Sequence, residues 1–146
     1  MIKRVYCLEL TLSQPVNILF LRSGYMYTIS QVSEELNISA HTLRYYEKES
    51  IITPDRSSSG ERLYTADHVA WLKFVIKLKE TKMPLAKIRQ YAELFKEGEK
   101  TAQARLELLE NHHLSIQEQL QTLIATEEML THKISTYKKV LATQNV

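Results

Sequence analysis

From Met26 onward the apolar residues fall into short helical rhythms separated by polar breaks. Thr28 stands three residues before Gln31, the spacing of a capping box. Ile29, Val32 and Leu36 then share one helical face, and Asn37 interrupts it. Ser39 provides a second N-cap, and Ala40–Lys48 reads as another short helix with Leu43 inward. Two short capped helices joined by a tight turn predict a helix-turn-helix. Thr53-Pro54-Asp55 predicts a helix stop. Gly60, set in a serine-rich stretch and followed by Leu63 and Tyr64, predicts a small hairpin. Thr65 caps a third helix whose apolar face is Val69, Leu72, Phe74, Val75, Ile76 and Leu78. Pro84 opens a fourth, carrying Leu85, Ile88, Tyr91, Leu94 and Phe95.

The pattern changes after Gly98. No glycine or proline follows, and apolar positions step by three and four without a slip. The a positions are Leu106, His113, Leu120, Glu127, Ile134 and Leu141. The d positions are Leu109, Ile116, Leu123, Leu130 and Tyr137. Such regularity predicts one long coiled-coil helix from about Thr101 to Leu141, with a stripe that a second copy would cover. His113 and Glu127 at a positions fit a role in register and partner choice.

Ahead of Met26 there is no clean period. Residues 1–25 read either as a loose extension or as a short extra element packed on the domain. Lys3 and Arg4 resemble the start of a signal peptide, but polar residues from Glu9 to Asn17 interrupt the apolar run and no small-residue cleavage site follows. No apolar stretch approaches the ~20 residues of a membrane span.

Composition narrows the chemistry. The chain has 146 residues, a formal net charge of +2, three glycines, three prolines and a single cysteine, Cys7. Few glycines and prolines disfavour an all-β fold, and one cysteine excludes an internal disulfide framework or a multi-thiolate metal site. The balance suits a cytoplasmic protein. We find no Gly-rich phosphate loop, nucleophile elbow or paired-histidine metal motif, so the sequence does not read as an enzyme and calls for no cofactor.

The small net charge hides an uneven distribution. Residues 56–89 carry eight basic side chains against three acidic ones, whereas residues 99–146 carry five against six. A basic stretch beside a helix-turn-helix fits binding to a nucleic-acid backbone. In the second helix, His41 and Arg44 share a face and are placed to meet base edges or phosphates. Tyr45 and Tyr46 cannot both face the core, so one packs and the other offers its hydroxyl.

Thr42-Leu43-Arg44-Tyr45-Tyr46-Glu47, then Ile52-Thr53-Pro54, then Gly60-Glu61-Arg62-Leu63-Tyr64 resemble the MerR family of transcription regulators. Thr28–Val32 resembles that family's opening helix, and Met83-Pro84-Leu85 through Ile88 its fourth helix. The resemblance covers about residues 26–141. It implies a mainly α fold: a winged helix-turn-helix domain over 26–98, then a dimerising coiled-coil helix and short tail over 99–146. It further implies a homodimer joined by an antiparallel coiled coil, bound to a pseudo-palindromic site on double-stranded promoter DNA, whose spacer it distorts to the benefit of RNA polymerase. Carried over by motif, Arg44 and Tyr45 or Tyr46 would touch DNA, and Arg62 and Tyr64 would serve the wing. Thr28, Ser39, His41, Thr42 and Arg56 complete the expected DNA-facing set.

The segment Met83–Tyr137 most resembles the small aldehyde- and stress-responsive branch, through Glu99-Lys100-Thr101, Arg105, Lys133-Ile134 and Tyr137. Some members there use a reactive cysteine in the helix after the wing. Here that helix reads Phe74-Val75-Ile76-Lys77-Leu78-Lys79, without one. The alternative is a coiled-coil interaction module or anti-activator that no longer binds specific DNA.

Overall fold

The structure, a computed structural model, describes residues 24–144. The expected extension over 1–25, and with it Cys7, lies outside the described residues except for Gly24 and Tyr25. Tyr25 is tied to the start of the domain: its ring packs edge-on against Tyr27 at 4.7 Å, and its hydroxyl accepts from Gln31 Nε2 at 3.1 Å.

The architecture is mainly helical, as expected. A two-residue strand β1 (Tyr27–Thr28) leads into α1 (Ile29–Leu36) and α2 (Ala40–Lys48). The hairpin β2 (Asp55–Arg56) and β3 (Arg62–Tyr64) comes next, then α3 (Ala66–Glu80), α4 (Leu85–Glu97), a short 3-10 turn (Glu99–Thr101) and the long α5 (Ala102–Gln144). The chain divides into two compact units between Arg105 and Leu106. The change of sequence character at residue 99 therefore falls within the first unit.

The caps lie where the spacing placed them. Thr28 and Gln31 form a reciprocal capping box, Ser39 accepts from the Thr42 amide, and Thr65 pairs reciprocally with His68. Each satisfies amides that a helix start leaves open. The first two stops also lie where expected, and Asn37 closes α1 in a left-handed conformation. The second helix ends at Lys48, as its expected span has it, and Ser50 just beyond takes a left-handed conformation with φ 58°. The Ser50 amide then donates to Glu47 and the Ile51 amide to Tyr46, the pair of bonds that closes a Schellman motif. Lys82, with φ 66°, closes α3 in the same way, its amide donating to Lys79 and that of Met83 to Leu78.

The sheet has the order β1-β3-β2, antiparallel throughout, with Tyr27 opposite Tyr64 and Arg56 opposite Arg62. Strand β1 has no counterpart among the elements the sequence predicts. It anchors the start of the helix-turn-helix to the hairpin. The core lies between these strands and α1–α4. Val32, Leu43, Ile51, Tyr64, Val69, Leu72, Val75, Met83 and Ile88 have almost no exposed surface, and burial of such a side chain stabilises by about 1.5–3 kcal/mol.

Two expected core faces shift. On α3, Val69, Leu72, Val75 and Leu78 are buried while Phe74 and Ile76 are only half-buried. On α4 the buried pair is Ile88 and Ala92, and Phe95 is exposed. Phe95 instead stacks on Trp71 at 5.9 Å, beside Tyr91 at 5.8 Å, and carries the Arg105 guanidinium over its ring. Thr101, expected to begin the long helix, is buried in the 3-10 turn, its hydroxyl bonding to the Leu94 and Gly98 carbonyls.

Helix α5 runs 43 residues without a break, about 65 Å at 1.5 Å per residue. Most of its a and d side chains are exposed in the single chain: Leu106, His113, Leu120, Leu123, Glu127, Leu130, Ile134, Tyr137 and Leu141. Leu109 and Ile116 are half-buried. No described helix is long and apolar enough to cross a membrane.

Candidate nucleic-acid interface

Helix α2 turns Leu43 and Tyr46 into the core and presents His41, Arg44 and Tyr45 outward. The choice between the two tyrosines is thereby made. Tyr45 is 42% exposed, whereas Tyr46 is buried and its packing pushes its pKa up. Tyr46, included among the expected DNA contacts, is a core residue, because a neighbour one position along a helix points about 100° away. Among the described residues Arg44 has no ion-pair partner and stands exposed. At the start of the helix the hydroxyls of Ser39 and Thr42 lie 2.9 Å apart, in hydrogen-bond contact. Both side chains therefore shape the helix end, as Thr28 shapes that of α1.

The hairpin stands beside α2. Its tip is closed by the Gly60 amide donating to the Ser57 carbonyl at 2.9 Å, with Gly60 at φ 84°. A side chain at that φ would be strained, so glycine is suited to the position. Arg56 and Arg62 sit opposite each other on the two strands. Both reach Glu47 on α2: Arg56 Nη2 donates to Oε1 and Arg62 Nε to Oε2, each at 2.5 Å. Arg56 Nη1 also donates to the Gly60 carbonyl at 3.2 Å. Recognition helix and wing are thus joined through one carboxylate.

Tyr64 corrects the sequence reading. Expected to serve the wing at the surface, it is fully buried. Strand β3 alternates sides, and the alternation that half-exposes Leu63 sends Tyr64 inward. Its hydroxyl has no hydrogen-bond partner among the described residues. Burial raises its pKa and nearby Glu47 adds to the rise, while Arg62, Arg56 and Arg44 oppose it. Tyr64 supports the wing from below and has no surface to offer a ligand.

Two further contacts hold the end of α2. Arg89 on α4 pairs with Glu49 at 3.2 Å, and Lys96 Nζ donates to the Ser50 carbonyl at 3.2 Å. Sequence reasoning missed Glu47, Glu49 and Lys96. Glu47 closes the motif of α2, yet its partners lie 9 and 15 residues away across a turn and a hairpin, where helical periodicity carries no information. Among the described residues no group of His, Cys, Asp and Glu is placed to hold a metal ion.

Two capped helices, the second with a polar outward face, and a basic hairpin at its side define a winged helix-turn-helix DNA-binding protein. The chain belongs to the MerR family of transcription regulators: the MerR HTH family regulatory protein profile matches residues 27–94, and the MerR DNA-binding profile matches residues 69–133. An uncharacterized HTH-type transcriptional regulator of Haemophilus influenzae is 34% identical over 121 residues, 82% of this chain and 90% of that protein. The regulator AdhR of Bacillus subtilis is 34% identical over 82 residues, 56% of this chain and 59% of AdhR. Among solved structures, HiNmlR bound to promoter DNA, a MerR family regulator lacking the sensor domain, is 34% identical with a TM-score of 0.75. That match covers 81% of this chain and 94% of HiNmlR. The chain is a DNA-binding transcription regulator and not an enzyme.

Proposed function

We propose that the protein acts as a homodimer on a pseudo-palindromic promoter site, with α2 in the major groove and the hairpin along the backbone. The carrying observation is the outward face of α2, where His41, Arg44 and Tyr45 stand next to the wing arginines Arg56 and Arg62. Arg44 is the side chain free to take a guanine edge or a phosphate, and the Tyr45 hydroxyl suits a phosphate. Thr28, Ser39 and Thr42 sit at helix starts, whose positive end favours the sugar-phosphate chain.

Dimerisation proceeds through α5, whose a and d stripe from Leu106 to Leu141 pairs antiparallel with a second copy. Two half-sites held at fixed separation let the dimer bend and untwist the spacer, a distortion that costs several kcal/mol and is offset by phosphate contacts on both sides. RNA polymerase then meets promoter elements brought into reach, without a direct contact to this chain. The protein works in the cytoplasm and belongs to the aldehyde- and stress-responsive branch, in a form without the cysteine in α3. Similarity to AdhR and to a regulator lacking a sensor domain supports that placement.

Fluorescence anisotropy on the duplex upstream of the chain's own coding region, against a scrambled duplex of equal length, tests the reading. Preference for the promoter, lost in Arg44→Ala, is the expected result. Absence of binding to either duplex at low salt overturns it in favour of a coiled-coil interaction module.

A further inference from the structure

A carboxylate in the middle of a face that meets phosphates opposes binding unless it does something there. Glu47 lies one helical turn beyond Arg44, and both its oxygens are occupied by wing guanidiniums. Arg56 continues to the Gly60 carbonyl, so helix, carboxylate and hairpin tip form one connected unit. The Glu47 side chain is only 21% exposed, whereas Arg56 remains 45% exposed. The carboxylate is covered and the arginine still has donors facing out. Arg62 spends its Nε on Glu47, which leaves its terminal nitrogens for a phosphate.

We infer that Glu47 is a specificity-determining residue of the interface. It fixes Arg56 and Arg62 in one arrangement and cancels one of their two charges. The wing then engages productively only with DNA whose phosphates lie where those guanidiniums already point. This rests on the reading that the α2 face meets DNA.

An untethered arginine on a hairpin finds some phosphate on any DNA, and such contacts supply sequence-independent binding. Pairing with Glu47 removes that freedom for every duplex alike, but duplexes differ in how much of the loss they recover. One of fitting shape recovers it through charge-assisted bonds to the remaining donors. A misfitting one brings phosphates toward a covered carboxylate, and the repulsion grows as DNA excludes water from the site. Discrimination thus comes from a repulsive element as well as an attractive one.

The test uses the full chain and both duplexes across a salt series. Glu47→Gln keeps the size and one oxygen while removing the charge. We expect affinity for the scrambled duplex to rise roughly tenfold at low salt, and the logarithmic salt dependence to steepen by about one phosphate contact. The promoter-to-scrambled ratio falls accordingly. Glu47→Asp, which retains the charge, keeps the wild-type salt dependence, and adding Arg56→Gln to Glu47→Gln returns scrambled binding to the wild-type level. Parallel weakening on both duplexes with unchanged salt dependence, or no change on either, overturns the inference. Arg44→Ala separates the two claims. If it abolishes promoter preference while Glu47→Gln leaves the ratio intact, the interface stands and only the role of Glu47 fails. If Arg44→Ala changes neither duplex, the interface reading itself fails.

Discussion

The indole Nε1 of Trp71 donates to the Ile51 carbonyl at 2.8 Å, fastening α3 to the segment that leaves the recognition helix. Ile51 is buried, so its carbonyl depends on this donor. Trp71 also stacks on Tyr91 and Phe95 of α4. One side chain therefore sets the position of α2 relative to both following helices. Trp71→Phe keeps an aromatic ring and removes the donor. We expect a loss of about 2 kcal/mol from the stranded carbonyl and the smaller ring. A urea titration checks this as a lower midpoint at unchanged slope.

Ser50 closes the recognition helix at φ 58°, a conformation that a side chain disfavours. The Ser50 amide bond to Glu47 is one that glycine also supplies, and the neighbouring bond to Tyr46 is made by the Ile51 amide. Ser50→Gly relieves the strain while enlarging the freedom of the unfolded chain, and the two effects oppose each other. The strain term is the larger, so the variant should gain about 0.5–1 kcal/mol in the same titration. Binding to promoter DNA should not change, because no side-chain contact of the interface is touched.

The same residue explains why parts of the fold were legible and others were not. Helix starts were readable because Thr28, Ser39 and Thr65 act through their own side chains, and the bonds they form span three residues. The stops at Asn37 and Lys48 were readable too, but not how the chain closes each one. Asn37 is a residue type that favours left-handed closure, whereas the left-handed closures at Ser50 and Lys82 use residue types that carry no such signal. Strand β1 is two residues long, too short to establish an alternating pattern. On α2, His41 and Arg44 could be placed on one outward face, whereas helical geometry alone told only that Tyr45 and Tyr46 point to different sides, not which of them is buried. Tyr64 could not be placed either, since its side is decided by the register of β3 against β1 and β2. The Glu47 pairs depend on tertiary approach of the hairpin to α2, which no local spacing encodes.

His68 links acidity to the base of the wing. Its Nδ1 accepts the Thr65 amide at 3.1 Å in the capping box that starts α3, immediately after β3. That bond requires the neutral ring at Nδ1. Burial lowers the pKa of His68, with Asp55 and Asp67 acting in the opposite direction. The unfolded chain therefore binds a proton at higher pH than the folded one. Stability from this group is complete above about pH 6.5 and is lost as pH falls from there toward the depressed folded value. His68→Gln preserves an acceptor at the same capping position. Urea midpoints at pH 5.5 and 7.5 should differ less in the variant than in the wild type. An equal difference in both would mean that His68 does not contribute.

The exposed stripe of α5 bears on self-association. Leu123 is 65% exposed and Leu130 52% exposed in the single chain, at successive d positions. Water contact over such residues is unfavourable, and the proposed second copy would remove it. Leu114 is also exposed, at 58%, but stands off the a and d seam. Leu123→Glu with Leu130→Glu should abolish self-association in sedimentation, while Leu114→Glu leaves it intact. Loss of the dimer also removes the advantage of two linked half-sites, so promoter affinity should fall by about a hundredfold or more. Helix content of α5 should fall with it, since its stability comes from the packed seam more than from propensity. Should Leu114→Glu alone disrupt the dimer, the pairing surface would have to lie on a different face of α5, and the antiparallel register built on Leu106 to Leu141 would be wrong.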